Sequence, residues 1–190
     1  MPQPDHISAL PVPEIATLNE DIRAVFAKAV EKLGFVPNVL RAYSFRPQKL
    51  RNFMAMYNEL MLAPSGLSKL EREMVAVVVS TVNRCYYCLV AHGQAVRRLS
   101  GDPELGEMMV MNWRIAKLDA RQRAMLDFAW KLTETPYLVG DADRAILREV
   151  GFSNEDVFDL CETVGFFNMS NRMASATDMR PNPEYHAMGR

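Results

Sequence analysis

Hydrophobic side chains recur at intervals of three and four residues along most of the chain. Near the N-terminus the series contains Ile22, Phe26 and Val30. Similar series follow later helix-start signals, at Pro47, Pro103, Asp119, Gly140 and Ser153. This spacing puts apolar side chains on one face of a helix, and no segment shows a convincing two-residue alternation. The chain is therefore predicted to be all-α, a multi-helix bundle of about eight helices joined by short turns.

Capping signals and prolines divide this pattern into parts. Residues 17–20, 68–71, 119–122 and 153–156 read as capping boxes at helix starts. Four prolines within residues 1–16 predict an extended N-terminal arm, and two more in residues 179–190 predict an irregular tail. We expect these two segments to belong to a single domain over 1–190, which has a core at 50–115 and a second helical half at 116–178.

The segment 74–79 allows two interpretations. It is apolar on nearly every side and rich in β-branched valine, which is also typical of a buried strand. Its length and the capping box at Ser68 favour a buried helix.

The chain is expected to reverse direction near Asn83. Thr81, Val82 and Asn83 form helices poorly, and Asn83 is a good N-cap for a helix over 84–99. A straight helix would hold Glu73 and His92 roughly 28 Å apart, at about 1.5 Å per residue. A reversal would bring them opposite each other, because both lie equally far from the break.

The second helix of this predicted hairpin carries two thiols and an imidazole. Cys85, Cys88 and His92 are three and four residues apart, so they share a face. The free amide groups and the dipole at the start of a helix favour a thiolate there. The third cysteine, Cys161, falls on an apolar stripe and is expected to be inert.

Composition narrows the classes of partner. The 190 residues include 22 basic and 23 acidic side chains, so the sequence indicates neither a nucleic-acid partner nor an anionic membrane surface. No apolar run is long enough to span a membrane, and the N-terminus lacks a secretion signal, so a cytoplasmic location is expected. In a reducing cytosol a lone Cys-x-x-Cys is typical of redox or metal chemistry rather than of a structural disulfide.

Known uses of Cys-x-x-Cys fit to different degrees. Haem attachment needs histidine directly after the second cysteine, where Leu89 stands. The thioredoxin fold places the motif after a strand, whereas helical patterns flank it here. A structural zinc site would need a fourth ligand from Cys161, His6 or His186, and it stays open as an alternative.

The full pattern, Glu73-x11-Cys85-x2-Cys88-x3-His92, resembles the AhpD-like alkylhydroperoxidases of the carboxymuconolactone decarboxylase superfamily. The surrounding text, Leu-Glu-Arg-Glu-Met-Val-Ala and Asn-Arg-Cys-Tyr-Tyr-Cys-Leu-Val-Ala-His-Gly, is also similar. The chain length and flanking helices resemble the peroxidase-related subgroup. The resemblance implies an AhpD-like helical fold, a homo-oligomer, no cofactor and peroxide reduction by cysteine.

By the same resemblance, Cys88 would be the peroxidatic thiol, Cys85 the resolving thiol, and Glu73 with His92 a proton relay. Decarboxylase members usually lack the cysteine pair, which argues against lactone decarboxylation here. The well-studied reductases carry a histidine where this chain has Tyr87, which becomes a candidate substrate-contacting residue.

The predicted function is therefore a peroxidase-type oxidoreductase that takes a peroxide substrate and an external dithiol reductant. The position of Cys85 nearest the helix start favours a thiolate there, whereas an adjacent base would favour Cys88. A non-enzymatic redox-sensing or interaction module using the same dithiol is the alternative.

A weak internal echo accompanies these features. A shift of 82 residues matches Glu73 with Glu155, and Val75, Thr81 and Val82 with identical residues. Cys85, Cys88 and His92 then correspond to Phe167, Ser170 and Ala174. An internally duplicated core is one explanation of this pattern.

Overall fold

The computed structural model describes residues 3–190 of the chain. Nine α-helices occupy most of this range: α1 Glu20–Leu33, α2 Asn38–Tyr43, α3 Pro47–Leu62, α4 Lys69–Asn83, α5 Tyr86–Ser100, α6 Pro103–Asn112, α7 Ala120–Glu134, α8 Asp141–Glu149 and α9 Asn154–Ala176. Four short 3-10 helices lie at Ile15–Thr17, Trp113–Ile115, Pro136–Leu138 and Pro183–His186. Residues 3–190 contain no strand, so the all-α prediction is confirmed.

Helix α4 lies at the centre of the bundle and packs against α5, α7 and α9. Every residue from Glu71 to Ser80 is buried. The strand interpretation of 74–79 is therefore wrong. Burying a valine side chain stabilises by about 1.5–3 kcal/mol, far more than the tenths of a kcal/mol that valine loses in helix propensity.

Three of the four predicted capping boxes are confirmed, at Ser68–Glu71, Asp119–Gln122 and Ser153–Asp156. The box predicted at 17–20 is not formed, and α1 begins after Asn19 without a side-chain cap. The Thr17 hydroxyl instead donates to the Glu14 carbonyl oxygen at 2.8 Å, within the preceding 3-10 turn. A local turn has therefore taken the side chain that the capping box required.

The N-terminal arm packs on the end of α9 in the same chain. The Ala9 amide donates to the Thr177 carbonyl at 2.8 Å, and the Arg180 amide donates to the Ile7 carbonyl at 3.0 Å. Residues 1 and 2 of the predicted arm lie outside the described residues.

The C-terminal tail is more ordered than predicted. Asn182 accepts from the Asn38 amide at 2.7 Å and donates to the Val36 carbonyl at 3.0 Å. Tyr185 is buried and meets Phe35 edge to face, with ring centroids 5.1 Å apart. These contacts join the tail to the turn before α2. Among the helices over residues 3–190, none has the length and apolarity that crossing a membrane requires.

Candidate active site

The chain reverses between α4 and α5, two residues later than predicted. Arg84 adopts a left-handed conformation with φ 52°, and Cys85 is the N-cap of α5. The prediction that Asn83 caps a helix beginning at Arg84 is therefore wrong. The Asn83 amide donates to Asn168 and Asn171 on α9, at 3.1 and 3.0 Å, so it is engaged away from the new helix. The Cys85 sulfur takes the capping role and accepts from the Cys88 amide at 3.4 Å.

This reversal brings Glu73 and His92 together, as the sequence predicts. Glu73 Oε2 lies 2.6 Å from His92 Nδ1. The two side chains are only 11% and 13% exposed, respectively. A hydrogen bond between a carboxylate and an imidazole is strong in such a weakly hydrated place.

The imidazole is also held in orientation by α9. Phe167 meets the His92 ring edge to face, with centroids 4.6 Å apart and planes at 79°. With Nδ1 committed to Glu73, Nε2 is the ring nitrogen that is left to exchange a proton with another group.

The two thiols lie side by side at the start of α5. The Cys85 and Cys88 sulfur atoms are 2.6 Å apart, and both cysteines are free. Each residue is only 1% exposed. They form a small apolar cluster with Tyr87, Ala174 and Met179, separate from the main core. The pair is thus shielded from bulk water.

The surroundings of the two sulfurs move their pKa values in opposite directions. The pKa of Cys85 is lowered, chiefly because the Cys88 thiol donates to its sulfur. The Cys88 amide, the Ser175 hydroxyl and the charge of His92 act in the same direction, whereas burial opposes them. The pKa of Cys88 is raised by its hydrogen bond to Cys85 and by burial. When the pair loses one proton, the Cys85 sulfur is therefore favoured over the Cys88 sulfur to carry the negative charge.

Two polar residues beside Cys88 were not anticipated from the sequence. Hydrogen bonds from Asn171 and Ser80 act to lower the pKa of Cys88 against the stronger effects that raise it. The Asn171 amide donates to the Ser80 hydroxyl at 3.1 Å, and both residues are fully buried. An asparagine within the apolar stretch of α9 was the only available signal, because α4 and α9 are far apart in sequence.

Tyr87 lies inside the protein and joins three segments. Its hydroxyl accepts from the Val39 amide at 3.0 Å, at the start of α2. The Tyr87 hydroxyl also forms a hydrogen bond with the Tyr185 hydroxyl. The pKa of Tyr87 is raised, chiefly because the side chain is buried. Tyr86, by contrast, is exposed.

The remaining soft ligands considered for zinc do not join the thiols. His6 bonds Asp178 at 2.8 Å, His186 is exposed in the tail, and Cys161 packs beside the main core. Across the described part of the chain, no three histidine, cysteine or carboxylate side chains are grouped closely enough to hold a metal ion.

The sequence and the fold of this chain are both similar to those of known proteins. The family model "Carboxymuconolactone decarboxylase family" matches residues 47–129. A crystal structure of an "uncharacterized peroxidase-related protein" from Silicibacter sp. TM1040 is 57% identical, with a TM-score of 0.96 and full coverage of both chains. One from Ralstonia eutropha JMP134, described as an "alkylhydroperoxidase AhpD core", is 44% identical, with a TM-score of 0.95 and 98% coverage of each chain.

This chain belongs to the AhpD-like, peroxidase-related group of the carboxymuconolactone decarboxylase superfamily. The AhpD-like fold predicted from the sequence is confirmed. The debrominase Bmp8 shares the fold at 16% identity, with a TM-score of 0.78 and coverage of 97% of this chain and 96% of that chain. No curated protein matches the sequence. Proteins with this fold therefore include ones described as peroxidase-related and one described as a debrominase.

Proposed function

We propose that this AhpD-like protein is a thiol peroxidase that reduces organic peroxides with the Cys85–Cys88 pair. The observation that carries the proposal is the buried Glu73–His92 hydrogen bond, on the same helical hairpin as two adjoining thiols. A nucleophilic thiol needs a base to receive its proton and a second thiol to resolve its oxidised form.

The cycle begins when the dithiol gives one proton to His92, whose positive charge is balanced by Glu73. The remaining proton lies between the two sulfurs and moves from Cys88 to Cys85. The Cys88 thiolate then attacks the peroxide O–O bond, which leaves a sulfenic acid on Cys88 and an alkoxide. The His92 imidazolium protonates the alkoxide to the alcohol.

The second half of the cycle forms the disulfide. The Cys85 thiol attacks the Cys88 sulfenic acid, an S–S bond forms, and water leaves with the thiol proton. Two electrons have then passed from the two sulfurs to the peroxide. An external dithiol restores both thiols by exchange, through a mixed disulfide.

The choice of Cys88 as the attacking sulfur follows from the family resemblance and must be reconciled with the lowered pKa of Cys85. A single proton transfer across the 2.6 Å contact between the sulfurs exchanges their roles without a change in net charge. Asn171 and Ser80 supply hydrogen bonds to the Cys88 thiolate that results. A thiolate formed first on Cys85 therefore serves as the base that takes the Cys88 proton.

The decisive experiment combines mass spectrometry with turnover. We expect one equivalent of cumene hydroperoxide to form a Cys85–Cys88 disulfide, and steady-state peroxide consumption to require dithiothreitol. Cys88→Ser should abolish consumption, and Cys85→Ser should leave a sulfenic acid on Cys88 that dimedone traps. Cys161→Ser is the matched control and should behave as wild type.

Two outcomes would redirect the proposal. A sulfenic acid trapped on Cys85 in the Cys88→Ser variant would reverse the two thiol roles. Disulfide formation without turnover, under several dithiol reductants, would support the alternative of a redox-sensing module.

We also propose that the protein assembles as a homo-oligomer. Several large apolar side chains are mostly exposed, among them Met111 at 82% and Phe158 at 64%. Apolar side chains of this kind at the surface are consistent with burial in a subunit interface. Light scattering coupled to size-exclusion chromatography tests this directly, and a monomer at micromolar concentration would contradict it.

A further inference from the structure

Both reactive sulfurs are buried, so a peroxide needs a route to them. A half-open cleft of about 100 Å³ lies beside the thiol cluster, which is the apolar cluster formed by Cys85, Tyr87, Cys88, Ala174 and Met179. Ala42, Tyr43 and Met179 line this cleft and also pack in the apolar cluster that contains Cys85 and Cys88. These three side chains therefore border both the cleft and the cluster that contains the two cysteines.

Two of these bordering side chains are adaptable. Met179 has an unbranched, flexible thioether side chain that can change rotamer with little loss of packing. The Tyr43 hydroxyl faces the Met169 sulfur at 3.7 Å, which is a weak hydrogen bond and easily exchanged. The pKa of Tyr43 is raised by burial and then by the nearby charge of Cys88, which agrees with a position between cleft and thiol.

The cleft itself is apolar and is lined on one side by the N-terminal arm. Leu10, Pro11 and Val12 of the arm line it together with Phe45 and Met173. The arm is held there by its backbone hydrogen bonds to the end of α9. An engineered apolar cavity of about 150 Å³ binds benzene, so about 100 Å³ suits a chain of four or five carbons.

Two cations line the same cleft. Arg46 precedes α3 and Lys49 lies in its first turn, and both are exposed. Neither forms an ion pair with a carboxylate of residues 3–190. An apolar cleft that carries two such cations is complementary to a molecule with a short hydrocarbon chain and an anionic end.

We propose that this cleft binds a carboxylate-bearing organic hydroperoxide. Arg46 and Lys49 hold the carboxylate, and the hydrocarbon chain lies between the arm and α9. The peroxide end passes Met179 and Tyr43 to reach the thiols. The inference rests on the proposed peroxidase function for its choice of a hydroperoxide, but the cleft's preference for an anionic chain can be measured without turnover.

The kinetic test compares 6-hydroperoxyhexanoic acid with its methyl ester, which has the same chain and no charge. We expect kcat/KM of the wild type to favour the acid by about tenfold, the effect of two modest ion pairs. The double variant Arg46→Met/Lys49→Met should lose this preference, mainly through KM for the acid. Arg23→Met/Lys28→Met, which removes two exposed cations from α1, is the matched control and should keep it.

The binding test uses hexanoate, which cannot oxidise the thiols. Hexanoate titrated into reduced, isotope-labelled protein should shift the NMR signals of residues 8–12, and Arg46→Met/Lys49→Met should weaken its binding by about tenfold. Hexan-1-ol should bind more weakly than hexanoate to the wild type.

The two tests separate the two proposals. Hexanoate binding at the arm without any peroxide turnover would refute the peroxidase and leave the cleft assignment standing. Turnover with equal preference for acid and ester, or hexanoate shifts far from the arm, would overturn the cleft assignment and leave the peroxidase standing.

Discussion

The α4–α5 hairpin and helix α9 carry matching residues but form different structures. Glu73 and Glu155 correspond in the 82-residue echo, as do Val75 and Val157. Helix α4 ends at Asn83, and the chain turns back as α5, whereas α9 continues without interruption from Asn154 to Ala176. Glu73 is consequently buried against His92, and Glu155 is exposed in the first turn of its helix.

The reversal of the chain, more than the acidic residue, makes the site. Without a returning helix there is no imidazole for Glu155 to meet. Helix α9 nevertheless supports the hairpin, since Phe167 contacts His92 and Ala174 packs in the thiol cluster. These two residues are the echo partners of Cys85 and His92. Whether the echo reflects duplication stays a hypothesis, but the two regions now depend on each other.

The strongest way to test the contrast is to remove the acid from each region. We expect Glu73→Gln to lower kcat/KM for peroxide by at least about 100-fold, because the relay loses the charge that balances the His92 imidazolium. The pH profile of kcat/KM should also change shape. Glu155→Gln is the matched control and should leave both unchanged; equal effects of the two variants would remove the distinction between the regions.

A smaller effect is expected from the polar contact that joins the regions. Asn171→Ala removes a buried amide that bonds Ser80 and accepts from Asn83. Leaving these partners unsatisfied should lower the free energy of unfolding by about 1–3 kcal/mol. Urea titration measures this, with Asn58→Ala on the exposed face of α3 as control. A loss no larger than that of the control would mean that α9 supports the hairpin by apolar packing alone.

The charge distribution within the hairpin gives a third prediction. A lowered pKa means that the Cys85 thiolate forms at lower pH than an ordinary thiolate. Cys88→Ala removes the main donor to that sulfur, so the pH dependence of Cys85 alkylation should move to higher pH. The rate of iodoacetamide modification, followed by mass spectrometry in a Cys161→Ser background, measures the change. A curve that stays in place would show that the amide groups of α5, rather than Cys88, stabilise the thiolate.

The smallest effects concern the backbone. The reversal favours glycine because its backbone is left-handed, whereas the uninterrupted helix α9 favours alanine over glycine. Arg84 has a left-handed backbone conformation at the reversal. This conformation costs a residue other than glycine roughly 1–2 kcal/mol, whereas glycine costs roughly 0.5–1 kcal/mol in conformational entropy. Arg84→Gly should therefore raise the free energy of unfolding by about 0.5 kcal/mol. Gly165 lies inside α9 with open space around an added Cβ, so Gly165→Ala should stabilise by about 1 kcal/mol. Thermal unfolding measures both; destabilisation by Arg84→Gly would show that the arginine side chain itself holds the turn.

Local signals were sufficient for most of the fold. In a capping box such as Ser68–Glu71 the two side chains bond each other's backbone amides, and the two residues are only three positions apart. Helix starts of this kind could therefore be predicted from the sequence alone. The sequence predicted the reversal near Asn83 but placed the N-cap of the second helix two residues too early. The reason is that the Asn83 side chain bonds Asn168 on α9, 85 residues later in the chain, and so does not cap α5. The buried pair Ser80 and Asn171 could not be foreseen for the same reason. Glu73 and His92 were recoverable because a single reversal relates them.

The attachment of the arm to the last turn of α9 has a practical consequence for the laboratory. A purification tag fused to residue 1 would begin close to His6, whose imidazole bonds Asp178 at 2.8 Å. Residual linker residues there would disturb residues 8–12 of the arm, which border the cleft, and a low peroxide consumption would then reflect the linker instead of the protein itself. Protein from which the tag and its linker have been removed is therefore the material in which to measure peroxide chemistry.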